Sequence, residues 1–171
     1  MLRIYCKNTG TFKEFQEGST LLDMIPEFDF ERPYEIISAK VNNVSQGLKF
    51  RVFNNRDVEF LDYRTYAGRN VYCRSLCFLL CKAAQDLFPG CKVVIRRPIS
   101  KGYFCRLDKP GGESMHRDDI AAIRERMQQL VAADTPFRRY EVQATEAISL
   151  FRGLGMPDNV KLLETCGEVY V

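Results

Sequence analysis

Positively charged side chains are concentrated in the middle third of the chain, where they could bind a ligand of opposite charge. Residues 63–109 carry ten basic side chains and two acidic ones, whereas the whole 171-residue chain has a net charge of only +3. A local excess of this kind indicates an anionic partner, either a nucleotide phosphate or an RNA backbone. A solvated basic face balanced by acidic neighbours is the plain alternative.

The densest part of this region is Arg96-Arg97-Pro98, which we predict lies at the turn of a β-hairpin. Arginine offers phosphate a planar fork of hydrogen-bond donors. On the following strand, the rings of Tyr103 and Phe104 could stack on a base, although strand alternation turns only one of the two outward. The predicted rim for phosphate or RNA therefore consists of Lys92, Arg96, Arg97, Lys101 and Tyr103.

The supply of proton carriers and metal ligands is poor. The single histidine, His116, stands at a predicted helix start, where we expect it to be solvated, and one histidine argues against triads and histidine-rich metal sites. Cys73, Cys77 and Cys81 recur every four residues on one helical face. A metal there would need His116 or Cys105 as a further ligand, so small buried side chains are the favoured interpretation. We predict no catalytic residue, metal or cofactor in this chain.

Alternation and turn residues predict a first domain over residues 1–62. The order is strand, strand, short helix, strand and further short strands, which is typical of a β-grasp fold with the helix across one face of a mixed sheet. The predicted elements are strands 2–6 and 11–15, a helix from 21 stopped by Pro26, and strands 36–41, 52–53 and 58–61.

A polar boundary at residues 63–70 leads into a predicted α+β domain over residues 63–171. Its expected elements are a helix over 66–88, hairpin strands 91–95 and 101–107, a helix over 116–133, a strand over 137–142, helices 145–154 and 157–165, and a strand from 168. That last strand is cut at Val171, so we expect the full protein to continue further. The chain shows no secretory signal, no membrane span and an odd number of cysteines, which favours the cytoplasm.

The first 62 residues resemble a TGS domain, the β-grasp module at the N-terminus of threonyl-tRNA synthetases. The matching pieces are the hairpin with Phe12 to Phe15, the helix start Gly18-Ser19-Thr20-Leu21, and the segment Ile37-Ser38-Ala39-Lys40-Val41-Asn42. Residues 63–171 resemble the domain that follows in those synthetases, the second additional or editing domain. The resemblance is carried by Leu79-Leu80, Phe88-Pro89 and Gly102-Tyr103-Phe104, and it covers nearly the whole chain.

The departures from that family pattern bear on function. The resemblance implies that Arg74 and Phe78 stand where the family has two editing histidines, that Arg106 replaces an aspartate, and that Lys161 is retained. Arginine does not accept a proton at neutral pH and phenylalanine cannot transfer one, so we expect this copy to be inactive in ester hydrolysis. The predicted ligand-binding pocket, formed by Arg74, Phe78, Arg106 and Lys161, would hold an anion.

The same arrangement resembles bacterial nucleoside kinases, usually labelled uridine kinases, in which a TGS domain and a degenerate synthetase-like domain precede a kinase domain. No Gly-x-x-x-x-Gly-Lys-Ser/Thr motif occurs in this chain, so ATP and Mg²⁺ would belong to a kinase domain in cis outside it. The leading expectation is an N-terminal accessory or regulatory module that binds a nucleotide or RNA. The alternatives are an aminoacyl-tRNA editing deacylase of the threonyl-tRNA synthetase type and a structural or dimerising spacer.

Overall fold

The computed structural model describes residues 1–100 and 102–167 and confirms the predicted α+β class. The chain divides into two compact units, Met1–Phe78 and Leu79–Val171, the second described as far as residue 167. Helix α2 contributes residues to both units. Each unit is treated below by itself.

The first unit is built on a mixed five-stranded sheet with the strand order β2-β1-β5-β3-β4. Strands β1 and β5 are parallel, and the other neighbouring pairs are antiparallel. The elements are β1 (Leu2–Cys6), β2 (Thr11–Phe15), helix α1 (Leu21–Met24), a 3₁₀ turn (Ile25–Glu27), β3 (Ser38–Val41), β4 (Val44–Gln46) and β5 (Arg56–Leu61).

Alternating hydrophobicity in β1 explains how this sheet acquires a core. Leu2, Ile4 and Cys6 are buried on one face while the intervening side chains lean outward. Helix α1 begins with a capping box, in which Thr20 and Asp23 bond to each other's backbone N–H groups. The core of the unit also contains Leu21, Met24, Phe28, Ala39, Val52, Val58 and Phe60.

The link from β5 into helix α2 (Tyr66–Leu87) is held by a tight set of hydrogen bonds. The Thr65 hydroxyl donates to the Asp62 carbonyl at 2.9 Å and accepts from the Gly68 N–H at 3.0 Å. The buried Asp62 carboxylate accepts two guanidinium bonds from Arg64, at 2.9 and 2.7 Å. A Cβ at position 68 would lie 2.0 Å from the Asp62 carbonyl oxygen, so only glycine fits there.

The second unit pairs a two-stranded hairpin with helices. After the last part of α2 come β6 (Lys92–Ile99), β7 (Gly102–Asp108), a 3₁₀ turn (Pro110–Gly112), α3 (Arg117–Ala132), α4 (Ala144–Gly153) and α5 (Pro157–Cys166). Its core brings Ala83 and Ala84 of α2 against Cys91 and against Ile123 and Leu130 of α3. Because these residues recur at helical spacing, one face of each helix is buried.

Two predicted strands do not occur, and a third cannot be compared with the structure. The strand over residues 137–142 is wrong: the segment is neither helix nor strand, and Phe137 and Tyr140 are 59% and 70% exposed. Aromatic content favours a strand only where a face can be buried. The strand over 52–53 is also wrong, because Val52 instead exchanges backbone bonds with Gly18 and Ser19. The strand from 168 lies outside the described residues.

Two smaller differences concern the predicted sheet of the first unit. Strand β4 was not predicted, since its three residues follow the Asn42-Asn43 turn without an alternating pattern. Strand β3 begins at Ser38 and not at residue 36.

None of the helices in the described part of the chain has both the length and the hydrophobicity that crossing a membrane requires.

Replacing Gly68 with alanine tests the link into α2. Because the new methyl group would overlap the Asp62 carbonyl, we expect Gly68→Ala to lower the free energy of unfolding by about 1–3 kcal/mol. Urea unfolding followed by circular dichroism measures this. Gly47→Ala is the control, because its Cβ meets nothing within 4 Å. Equal unfolding midpoints for the two variants would contradict the packing described here.

Candidate nucleic-acid interface

The β6–β7 hairpin contains an irregularity at its two arginines. Ile95 pairs with Cys105 and Pro98 pairs with Tyr103, so Arg96 and Arg97 together stand opposite the single residue Phe104. Two residues facing one is the arrangement of a β-bulge, which locally bends a strand and re-aims its side chains. Pro98 suits this place because proline cannot supply a ladder N–H.

Both arginines of the bulge remain available to a ligand. The side chains of Arg96 and Arg97 are exposed, and neither forms a hydrogen bond or ion pair with another residue that the structure describes. Tyr103 and Phe104 on β7 are 46% and 48% exposed. The expectation that only one of these rings faces outward is wrong, since the two-stranded hairpin leaves part of both faces open to solvent. The bulge therefore combines two accessible rings with two cations that have no ion-pair partner among residues 1–100 and 102–167.

The other predicted rim residues differ in their surroundings. The Lys92 ammonium is paired with the Asp158 carboxylate at 2.6 Å, and both side chains are largely exposed. Lys101 lies outside the described residues. Of the rim, the structure thus brings Arg96, Arg97 and Tyr103 together on one stretch of hairpin.

The four residues of the predicted pocket are distributed over both units. Arg74 and Phe78 are exposed on the part of α2 that belongs to the first unit. Arg106 lies on β7 and Lys161 on α5, both exposed in the second unit. The Arg106 guanidinium is already paired with Asp108, its Nε lying 3.0 Å from the carboxylate oxygen. A shared pocket for these four residues stays a prediction.

Carboxylates neutralise several cations of the second unit. The Lys92 ammonium, by its hydrogen bond, and the nearby Lys161 charge lower the pKa of Asp158. Lys109 lies 2.6 Å from Asp119 and over the Phe88 ring, and its hydrogen bond to Asp119 lowers the pKa of that carboxyl. These cations are partly committed to intramolecular pairs, unlike those of the bulge.

One charged cluster was missed from the sequence. The Asp86 carboxylate accepts from Lys82 on one oxygen, and on the other it accepts from Arg126 of α3 at 3.0 and 2.8 Å. The hydrogen bond from Lys82, followed by that from Arg126, lowers the pKa of Asp86. The i,i+4 spacing of Lys82 and Asp86 was visible in the sequence, whereas the forty-residue separation to Arg126 gave no local pattern.

Metal ligation has little support within residues 1–100 and 102–167. No three histidine, cysteine, aspartate or glutamate side chains gather there as a metal site requires. His116 is exposed at the N-cap of α3, where its backbone N–H donates to Asp119 at 2.8 Å. Its role at the helix end is structural.

No family model matches this chain. It is similar, however, to curated proteins named threonine–tRNA ligase. It is 28% identical to that of Natranaerobius thermophilus over 155 residues, which make up 91% of this chain and 24% of the relative. It is also 28% identical to that of Syntrophomonas wolfei over 168 residues, which make up 98% of this chain and 26% of the relative. To that of Desulforamulus reducens it is 27% identical over 152 residues, which make up 89% of this chain and 24% of the relative.

The similarity extends along nearly the whole chain but only along part of each relative. The chain spans about a quarter of the length of the curated relatives it matches. The comparisons point to a region related to threonine–tRNA ligases.

The predicted nucleoside-kinase parentage is therefore wrong. The relatives named above are threonine–tRNA ligases, which overturns both the accessory role in a uridine kinase and the kinase domain in cis. The replacement of two editing histidines by Arg74 and Phe78, which the resemblance implies, is therefore no evidence for a kinase. The predicted likeness to threonyl-tRNA synthetases agrees with the comparisons.

The Asp86 cluster predicts a pH dependence of stability. Because the folded-state pKa of Asp86 lies below its ordinary value, near 3.9, the carboxylate stabilises the fold above about pH 4. That contribution is lost as the pH falls through the folded pKa. We expect Asp86→Asn to unfold at lower urea concentration than the unmodified chain at pH 7, with the difference shrinking at pH 3.

The control is Asp134→Asn, at an exposed carboxylate just beyond α3. It should change the urea midpoint little at either pH. A gap between Asp86→Asn and the unmodified chain that is the same at pH 3 and pH 7 would show that the carboxylate charge is not what stabilises this contact.

Proposed function

We propose that this region binds tRNA, as part of a protein related to threonine–tRNA ligases. The observation that carries the proposal is the bulge of the β6–β7 hairpin, where Arg96 and Arg97 are exposed and uncompensated beside the accessible rings of Tyr103 and Phe104. Guanidinium groups bind phosphate with paired donors, and exposed rings stack on unpaired bases. The relatives' name, threonine–tRNA ligase, supplies the kind of RNA.

The distribution of charge supports a nucleic-acid partner. The hairpin from Lys92 to Asp108 carries five basic residues against one acidic residue. Its acidic residue is already engaged by Arg106. An RNA backbone approaching this hairpin meets a positive surface, and releasing counterions from the RNA would favour the complex.

The first unit fits a β-grasp module of the TGS type. Support comes from the strand order β2-β1-β5-β3-β4 with its parallel central pair, and from helix α1 whose Leu21 and Met24 are buried in the core of that sheet. We propose residues 1–62 as this module and residues 63–171 as the editing-like domain. A tRNA ligand would place the protein in the cytoplasm.

Hydrolysis of an aminoacyl ester is the second candidate, because the relatives are ligases that handle aminoacyl-tRNA and the resemblance includes their editing domain. The available side chains favour binding of tRNA over hydrolysis of the ester. The chain has a single histidine, His116, which lies at the N-cap of α3, while Arg74 and Phe78 carry no exchangeable base at neutral pH. A purely structural spacer would not need two uncompensated arginines on a bulge.

Removing the two bulge arginines tests RNA binding. We expect Arg96→Ala/Arg97→Ala to weaken binding of a threonine tRNA transcript at least about fivefold, since two phosphate contacts are lost. The slope of log affinity against log salt should fall by about two. Fluorescence anisotropy across a series of salt concentrations measures both quantities.

The matched control is Arg138→Ala/Arg139→Ala, which removes the same charge from an exposed arginine pair in the irregular segment before α4. This variant should bind tRNA nearly as well as the unmodified chain. If both double variants weaken binding equally, net charge and not the bulge carries the interaction. If neither does, the tRNA proposal fails.

A deacylation assay separates binding from hydrolysis. We expect the chain to leave serine on mischarged threonine tRNA at the uncatalysed rate while it binds that tRNA, because the described side chains offer no suitably placed base. Release of serine from radiolabelled seryl-tRNA measures the rate. Release that is accelerated more than about a hundredfold, the scale of one general base, would favour the editing deacylase.

A further inference from the structure

The first unit has a cluster of three tyrosines that the tRNA proposal does not use. The ring centroid of Tyr63 lies 4.6 Å from that of Tyr34, edge to face, and 6.4 Å from that of Tyr72 on α2. Tyr34 and Tyr63 are each 43% exposed, and Tyr72 is 48% exposed. Because the rings are held by one another and remain half open to solvent, they can stack on a further planar group at a small entropic cost.

The surroundings of the tyrosine cluster leave space for such a group. Tyr34 also lines an open hollow of about 600 Å³, together with Ile25 and Arg32. This volume falls within the range of small-molecule sites. The Arg64 guanidinium lies 5.2 Å from the Tyr34 ring centroid and is fixed by two hydrogen bonds to Asp62. A planar group of nucleotide size therefore has room beside the rings.

Helix α2 brings positive charge to the cluster. It carries Arg69 and Arg74 and no carboxylate before Asp86. Arg69 stands three residues before Tyr72, so the two side chains are neighbours on the helix surface. The Arg69 side chain is exposed and forms no ion pair with another residue that the structure describes. The end of α2 that follows Tyr63 is also the positive end of the helix dipole.

Negative charge near the cluster is smaller. Two carboxylates are adjacent to a cluster tyrosine in sequence, Glu35 and Asp62. Asp62 is buried and bound by Arg64, which leaves Glu35 as the exposed one of the two. Rings beside an excess of cations favour a partner that is both planar and anionic, as a nucleotide is.

We propose that the tyrosine cluster binds an unpaired nucleotide of RNA, with the base on the rings of Tyr63 and Tyr72 and a phosphate on Arg69. Stacking of this kind tolerates any base, because every base has a π-face. The inference rests on the proposed function, since tRNA is the RNA expected to supply the nucleotide. It adds a contact on the first unit that the arginines of the bulge do not provide.

A short unstructured RNA tests this contact apart from the bulge. The probe is hexauridylate, and the protein is the full chain carrying Arg96→Ala/Arg97→Ala, in which the bulge arginines are absent. Titration followed by backbone amide chemical shifts should move the amides of residues 63–72, with a Kd below about 1 mM. A decaproline peptide should leave these amides unshifted. Shifts caused by the peptide and not by hexauridylate would overturn the proposal and indicate a protein partner.

Variants of Tyr72 in the same background locate the base. Tyr72→Ala should weaken hexauridylate at least about fivefold, the lower limit for the loss of one stacked base. Tyr72→Phe keeps the ring and should bind as the starting chain does. The matched control is Tyr140→Ala, which removes a 70% exposed ring from the irregular segment before α4 and should not change the affinity. Circular dichroism establishes that each variant is folded. Equal affinities of Tyr72→Ala and Tyr140→Ala would contradict stacking at the cluster.

The salt dependence tests the phosphate contact. Arg69→Gln should lower the slope of log affinity against log salt by about 0.7, the value for one phosphate of a single strand. Arg56→Gln, which removes an exposed arginine of β5, should leave the slope unchanged. An unchanged slope in Arg69→Gln would show that no phosphate binds Arg69.

Failure of this inference and failure of the proposed function give different results. If the unmodified chain binds tRNA through the bulge but hexauridylate leaves residues 63–72 unshifted, the inference is wrong and the proposed function stands. If hexauridylate shifts residues 63–72 while loss of Arg96 and Arg97 leaves tRNA affinity unchanged, the bulge is not the tRNA contact and the inference stands.

Discussion

The close approach of helix α2 to the end of strand β5 constrains how the helix leaves the sheet of the first unit. Gly68 packs directly on the Asp62 carbonyl, and the Thr65 hydroxyl bridges the two. Buried and held by Arg64, the Asp62 carboxylate fixes the residue from which the helix departs. Because the side chains of a helix follow from where it begins, this junction also determines which face of the first turns of α2 carries Arg74.

Ion pairing decides which cations of the middle region are open to a partner. The sequence shows an undivided block of positive charge, but Lys82, Lys92, Arg106 and Lys109 each have a carboxylate in the folded unit. The Lys109–Asp119 pair is mostly buried, whereas the Lys92 and Arg106 pairs are largely exposed and contribute little stability. Arg96 and Arg97 differ, because the bulge holds them opposite Phe104 with no carboxylate directly across the ladder. Local backbone geometry, more than charge count, selects the candidate contact.

Local patterns sufficed for much of the fold. The period-two burial of β1, the capping box at Thr20 and the long helix ending before Pro89-Gly90 all follow from neighbours within a few residues. Sequence reasoning failed where the outcome depends on a distant partner. Residues 137–142 have strand-like composition and form no strand, while Val52 is held by the backbone of Gly18 and Ser19 instead of a regular ladder.

For the candidate sites too, sequence analysis succeeded where the signal was local and failed where it depended on a distant partner. The arginine pair at residues 96–97 was evident from composition, but the bulge depends on the register with β7, which no local pattern encodes. Tyr34 and Tyr72 could not be linked to one cluster in advance, because they meet Tyr63 only in the folded first unit. The predicted likeness to threonyl-tRNA synthetases agrees with the relatives found, whereas the predicted kinase parentage is wrong.

The chemistry open to this chain follows from which groups can exchange a proton near neutral pH. Hydrolysis of an ester needs a base that can both take and return a proton, and the chain has a single histidine, which lies at the N-cap of α3. Three carboxyl groups are poorer bases than usual. Hydrogen bonds from lysine or arginine lower the pKa of Asp86, Asp119 and Asp158. Fixed cations, by contrast, bind anions at any physiological pH. The tRNA proposal accordingly relies on the exposed guanidinium groups of Arg96 and Arg97 and requires no group that titrates near neutral pH.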